Sequence, residues 1–245
     1  MLCYFLHMYI PHPWEQEYRD PQFITLATEP LRDVRDFMKW VKKFIKRENV
    51  EHAEDVSRDL TQWTVLDLGC GNGKNLHYIV EYFCNNGIGY DISKTAISYA
   101  LDLRGELPID YSVQNIGADY PLADASIDMI VDTTSSHALS QDERGKFLSE
   151  ISRVLKPRGL YLLRTLCLEG DTNAKNMIRD FPSTEPNTYI LPNTDMIERV
   201  FTKTDIENDF GNNFIIHYMK KTSGYQKWGN QSYKRNYWVV YLERK

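Results

Sequence analysis

The residues best suited to chemistry stand together in Asp67-Leu68-Gly69-Cys70-Gly71-Asn72-Gly73-Lys74, with Asp91, Asp132 and His137 following at intervals. An apolar run, Val65-Leu66, leads into Asp67. Three glycines follow at every second position, and Leu76, Tyr78, Ile79, Val80 and Phe83 then repeat at helical spacing. The pattern predicts a buried strand, a glycine turn and a helix. Glycine lets the backbone enter positive φ and lets a ligand approach without meeting a Cβ. A phosphate-binding loop needs G-x-x-x-x-G-K-[ST], but here Leu68 stands at the first glycine and Asn75 at the Ser/Thr. The dinucleotide fingerprint needs a third glycine or alanine where this chain has Lys74 or Leu76. What remains is Asp-x-Gly-x-Gly-x-Gly, which places a ligand beyond the carboxyl end of the strand.

The rest of the chain supplies the elements that hold this turn. A helix is expected from Pro30 to about Arg47, with Leu31, Val34, Phe37, Met38 and Val41 as its inward stripe. After the strand at 64–68, a second strand runs from Gly87 to Tyr90 into Asp91, and Ser93 caps the helix from Lys94 to Arg104. Asp91 is an acceptor-only carboxylate that can take both hydroxyls of a ribose. Further strands are expected from Ile109 to Val113, from Ile127 to Val131 and from Leu160 to Leu166, with a helix over 142–155. Residues 168–200 read as a long insertion, and a helix at 202–210 and strands at 213–219 and 236–243 close the chain. The fold class is α/β: a Rossmann-like, seven-stranded, mostly parallel sheet with helices on both faces and an antiparallel last strand. Residues 1–60 form an N-terminal arm and helical lid, and residues 61–245 the main domain.

The glycine turn, Asp91, the run Asp119-Tyr120-Pro121-Leu122-Ala123-Asp124-Ala125-Ser126-Ile127-Asp128 and the run Glu150-Ile151-Ser152-Arg153-Val154-Leu155-Lys156-Pro157-Arg158-Gly159 together resemble class I S-adenosylmethionine-dependent methyltransferases, of the type 11-like domain. The resemblance covers residues 60–166 well and the terminal strands by order only. It implies that Asp67, Gly69, Gly71 and Gly73 pass close to the amino-acid part and ribose of S-adenosyl-L-methionine, and that Asp91 holds the ribose. It implies an adenine contact after the third strand. The family's usual Asp is missing there, so Asn115, with Ile116 beside it, is the assignment; Asp119 is the substitute. The end of the fourth strand faces the transferable methyl in this family, which places Asp132 and His137 beside the acceptor as proton-accepting or contact residues. Trp14 and Tyr18 fall in a segment that often closes over the cofactor. A covalent cytosine mechanism needs a Pro-Cys pair that this chain lacks.

Composition bounds these readings. The chain has 245 residues, a net charge of −5 and 13% aromatic residues, so the whole molecule is not built to bind polyanions. Cys3, Cys70, Cys84 and Cys167 are scattered, without C-x-x-C or His/Cys pairing, which disfavours a metal site and fits a reducing cytoplasm. Met1–Ile10 is apolar but lacks a charged leader and cleavage site, and is too short to span a membrane. The expected activity is methyl transfer to an O or N of a small polar molecule, by a monomer or dimer that does not contact membranes. Two alternatives stand beside it. One is an RNA methyltransferase using the basic, aromatic 220–235 loop, although that stretch reads more readily as a solvated hairpin with packed aromatics. The other is a cofactor-binding regulatory protein without catalysis.

Overall fold

The computed structural model describes residues 12–22, 24, 26–51, 58–228 and 231–245; the expected Met1–Ile10 arm lies outside them. The helices are α1 (Pro13–Arg19), α2 (Arg32–Glu51), α3 (Lys74–Tyr82), α4 (Lys94–Arg104), α5 (Gln141–Val154), α6 (Thr172–Asp180) and α7 (Lys203–Phe210). The strands are β1 (Thr64–Leu68), β2 (Asn86–Asp91), β3 (Ile109–Val113), β4 (Ile127–Thr133), β5 (Leu155–Leu166), β6 (Thr188–Ile190), β7 (Ile197–Arg199), β8 (Phe214–Trp228) and β9 (Gln231–Arg244). Seven of them form one sheet in the order β3-β2-β1-β4-β5-β9-β8, and β6 pairs with β7 apart from it. The first five are parallel, and β9 runs antiparallel to both β5 and β8. The expected architecture is therefore the observed one. Sheet order reverses across β1 and β4, and the glycine turn opens at that switch point.

Central strands are apolar on both sides because helices cover both faces. On one face, Val34, Phe37, Met38, Val41, Phe44 and Ile45 of α2 and Leu76, Ile79 and Val80 of α3 pack on Val65, Met129, Val131, Leu160 and Leu162. On the other, Phe147, Ile151 and Val154 of α5 and Ile206 and Phe210 of α7 pack on Leu66, Leu68, Ile130, Tyr161 and Leu163. The 168–200 segment has its own small core of Ala174, Tyr189, Leu191, Met196 and Val200 against Leu166 and Tyr237. It is set over the carboxyl ends of β5 and β4, where it walls the site. Among the described residues no helix is long and apolar enough to cross a membrane.

Two stretches depart from the sequence expectation. Lys156-Pro157-Arg158-Gly159 does not separate α5 from β5 but bulges out of β5: Leu155 pairs with Ile127, Leu160 with Met129, and Arg158 takes φ 62°. The 220–235 stretch is a hairpin, as expected, but its strands run on well beyond 219 and begin well before 236. β8 and β9 stay paired from Phe214↔Arg244 to Trp228↔Gln231, as a ribbon reaching past the core. Arg235 lies on its buried side, 3% exposed, so this arginine is not free to meet a phosphate backbone.

Candidate active site

A cleft opens over the carboxyl ends of β1, β2, β4 and β5, and the glycine turn divides it into two halves. Gly69, Gly71 and Gly73 have φ of 69°, 56° and 79°. A Cβ on Gly69 would collide with Ser135, and one on Gly71 with the Tyr18 hydroxyl. The turn must pass that close to its neighbours, and only glycine does so in the left-handed region. Gly73 serves packing instead, lying under Tyr111 at the start of α3.

The first half of the cleft is lined by Asp91, Ile92, Asn115, Ile116, Leu139 and Tyr18, among others. Asp91 accepts the Gly71 N–H at 2.9 Å and the Ser93 N–H at 2.9 Å, which ties the glycine turn to the end of β2. Burial pushes its carboxyl up to about 6, against the pull of those N–H groups. Each carboxylate oxygen keeps a lone pair for a hydroxyl donor. Asn115 Oδ1 accepts the Gly117 N–H at 2.8 Å, and its Nδ2 donates to Glu143 at 3.2 Å. Ile92, Ile116 and Leu139 make an apolar slot whose rim, Gln114, Asn115 and Glu143, is polar, which suits a flat heteroaromatic ring. Asp67 is fully buried and neither carboxylate oxygen has a hydrogen-bond partner among the described residues. Burial, with Asp132 and Asp91 nearby, pushes it up to about 8. An orphaned acid directly beneath the glycine turn fits a ligand carrying a positive charge there.

Over this half lies α1. Glu15 accepts the Ser93 hydroxyl at 2.7 Å, the Thr95 N–H at 3.1 Å and the Thr95 hydroxyl at 2.9 Å, and pairs with Arg19 at 2.8 Å. Burial opposes its charge, but these donors hold its pKa down to about 2. The contacts fasten α1 to the start of α4 and set Trp14 and Tyr18 on the wall common to both halves. Spacing alone offered no signal for Glu15.

The second half is lined by His137, Glu198, Thr133, Arg164, Lys74 and Tyr237, among others. His137 sits in the short 3₁₀ turn Ser136–Ala138 after β4 and is 3% exposed. Its Nε2 lies 3.5 Å from Glu198 Oε1, and its Nδ1 has no described partner. Glu198 is on β7, inside the insertion. Burial would raise its pKa, but His137, Arg235 and the Tyr189 hydroxyl outweigh that and hold it down to about 2. The Tyr189 hydroxyl donates to Glu198, and Arg235 Nη2 donates to that same hydroxyl oxygen at 2.7 Å. Arg235 also reaches Glu198 at 3.5 Å and Asp171 at 3.3 Å. Arg235 is thus the cation shared by two buried acids, Glu198 and Asp171, within one network. Asp132 belongs to a different arrangement. Its Oδ1 accepts the Ser135 and Ser136 N–H groups at 3.2 and 3.3 Å, the Ser135 hydroxyl lies 2.5 Å away, and the Tyr161 hydroxyl donates to Oδ2 at 3.2 Å. Fully buried and so engaged, Asp132 shapes the turn that carries His137 rather than lining the cleft.

Residues 66–163 match the family model described as a methyltransferase domain. The chain is similar to a fatty-acid O-methyltransferase of Mycolicibacterium smegmatis, 28% identical over 112 residues, 45% of this chain and 40% of that one. It is also similar to a tRNA N(3)-cytidine methyltransferase of Danio rerio, 28% identical over 141 residues, 49% of this chain and 39% of that one. The matches thus span about two fifths of those curated relatives. Among solved structures, a S-adenosylmethionine-dependent methyltransferase of Methanosarcina mazei superposes with a TM-score of 0.64 at 22% identity, over 75% of this chain and 93% of that one. The matched segment holds the glycine turn, Asp91 and the β4 turn, so this chain carries the methyltransferase domain of the class I S-adenosylmethionine-dependent family.

Proposed function

We propose that this protein transfers a methyl group from S-adenosylmethionine to an oxygen or nitrogen of a small polar molecule held in the second half of the cleft, with His137 accepting the proton. The observation that carries this reading is the His137–Glu198 pair. A buried Glu198 carboxylate on Nε2 selects the tautomer with its N–H there and leaves Nδ1, itself buried and without a partner among the described residues, as the basic nitrogen. When bound, the cofactor supplies an electrophilic methyl whose departure leaves a neutral thioether. Asp91 would hold the ribose, the Gly69–Gly73 turn the methionine portion, Asn115 and Ile116 the adenine, and Asp67 the cofactor's positive charge. Residues 1–60 act as arm and lid through Trp14 and Tyr18, which both halves of the cleft share. The scattered cysteines, with Cys70, Cys84 and Cys167 free and buried, support a cytoplasmic location.

Calorimetric titration tests the cofactor: S-adenosylmethionine should bind at micromolar affinity and NAD should not. Binding of NAD, or of neither, would refute the assignment. His137→Ala should keep cofactor affinity and lower turnover by about 10²–10⁴-fold. Unchanged turnover would leave His137 a packing residue only.

A further inference from the structure

We infer that the methyl acceptor is an organic acid whose carboxylate is anchored by Lys74 and Arg164, while the atom that is methylated is a separate hydroxyl or amine facing His137. The inference rests on the proposed transferase reading and names the acceptor's chemical class.

Lys74 opens α3 directly after the glycine turn, and Arg164 lies near the end of β5; both line the second half of the cleft. Arg164 is held rigidly. Its Nε donates to Asp33 at 2.9 Å, and its guanidinium lies 3.6 Å from the centre of the Tyr237 ring. No described hydrogen bond engages its two Nη groups, which leaves the outer edge of the guanidinium for a ligand. Lys74 is half-buried and has no hydrogen-bond or ion-pair partner among the described residues. Burial and the neighbouring Arg164 pull its pKa below the usual lysine range. Asp33 offsets Arg164 only, so the pair presents a net positive charge inside a cleft. Two cations brought together, with a single acid paired to one of them, are at their most stable when an anion bridges them.

Their position also separates the anchor from the chemistry. Along β5, Leu160 and Leu162 face α2 and α3, and Arg164 continues that alternation. His137 and Glu198 instead belong to the β4 turn and the insertion. Ile24, Leu26, Leu31 and Leu166 supply apolar wall, room for a carbon skeleton between anchor and nucleophile. A carboxylate clamped by two cations is a poor nucleophile, and a sulfonium is repelled by those same cations. The methyl therefore goes to the other end. There the O–H or N–H proton passes to His137 Nδ1, the freed lone pair bonds the methyl carbon, and the C–S bonding pair stays on sulfur.

The test incubates the full chain with [methyl-³H]S-adenosylmethionine and a small-molecule extract, then passes the products over an anion exchanger at about pH 11, where amines are uncharged and a carboxylate alone sets retention. The labelled product should be retained, because its carboxylate survives. Lys74→Met and Arg164→Met should each raise the KM for the retained fraction at least tenfold, with Lys74→Arg restoring it. Affinity for S-adenosylhomocysteine, by calorimetry, should stay within twofold of wild type. Label in unretained products would overturn the inference while leaving the transferase reading standing, since an esterified carboxylate or a cationic product would elute there. A tenfold loss of S-adenosylhomocysteine affinity with an unchanged acceptor KM would also overturn it, by assigning the pair to the cofactor's own carboxylate. No label in any fraction would refute the transferase reading and this inference with it.

Discussion

The two halves of the cleft are built in opposite ways. The cofactor half is assembled from consecutive βα turns. β1 leads into the glycine turn, β2 into Asp91 and β3 into Asn115; the Asp91–Gly71 contact joins the turns of two neighbouring strands, and Asn115 holds Gly117 within its own turn. The acceptor half draws on distant segments: Lys74 from α3, His137 from the β4 turn, Glu198 from the insertion and Arg235 from β9. In the first half, backbone conformation and two buried carboxylates, Asp67 and Asp91, do the work. In the second, five polar side chains hold one another in a buried network. One half can therefore lose a side chain and keep its shape, whereas the other depends on one arginine shared by two buried acids.

The largest expected effect follows from that difference. Arg235→Met leaves Glu198 and Asp171 buried without their cation. It should cost about 3–5 kcal/mol of stability, read from urea denaturation. A loss below about 1 kcal/mol would show that water, not the network, compensates these acids, and the contrast between the halves would fail. Asp91→Ala is the matching change in the cofactor half. It should weaken S-adenosylmethionine by about 1–3 kcal/mol through lost charge-assisted hydrogen bonds, with a much smaller effect on folding than Arg235→Met. Unchanged affinity would remove the ribose assignment. Between the two lies α1: Glu15→Ala frees the Ser93 and Thr95 donors and should loosen the shared wall, seen as faster proteolysis near Arg19.

The same contrast explains what could be read from the chain alone. The sheet, its helices and the cofactor half follow local rules. The alternation of apolar runs, the turn glycines and the acids at the ends of β1, β2 and β4 all lie within a few residues of one another. His137 was accessible because it follows a strand end. Glu198, Tyr189 and Arg235 were not, because their chemistry exists only after the insertion folds onto β9. Arg235, embedded among Lys220, Lys221 and Lys234 in a basic aromatic stretch, looked like a surface charge. The register of β9 alone turns it inward. Glu15 was equally silent, since a glutamate on a short helix has no spacing to single it out, and Lys74, singled out only as the Gly-Lys of a failed phosphate-loop match, carried no sign of a partner in Arg164. Asp132 shows the converse: a strand-end acid at the expected place whose oxygens are taken by its own turn.

The smallest effect is a proton. Asp67 and Asp91 are acids whose folded pKa values, about 8 and about 6, lie above the unfolded one. Between an unfolded value of about 4 and these folded values the native protein binds more protons than the unfolded chain. Stability is therefore greatest below that window and falls as pH rises through it. Binding works in the other direction. In the proposed ribose role Asp91 would accept the hydroxyls in its ionised form, so affinity for S-adenosylmethionine should fall below pH 6, by roughly tenfold at pH 5. Asp67 is mostly protonated at pH 7, and a cationic cofactor placed above the glycine turn favours its ionised form. Binding at pH 7 should then release up to about one proton, measured as the dependence of calorimetric enthalpy on the ionisation enthalpy of the buffer. Asp67→Asn should abolish that dependence. If the wild-type enthalpy were the same in phosphate and in Tris, the acid beneath the turn would be a neutral packing group, and the cofactor half would rest on Asp91 and backbone alone.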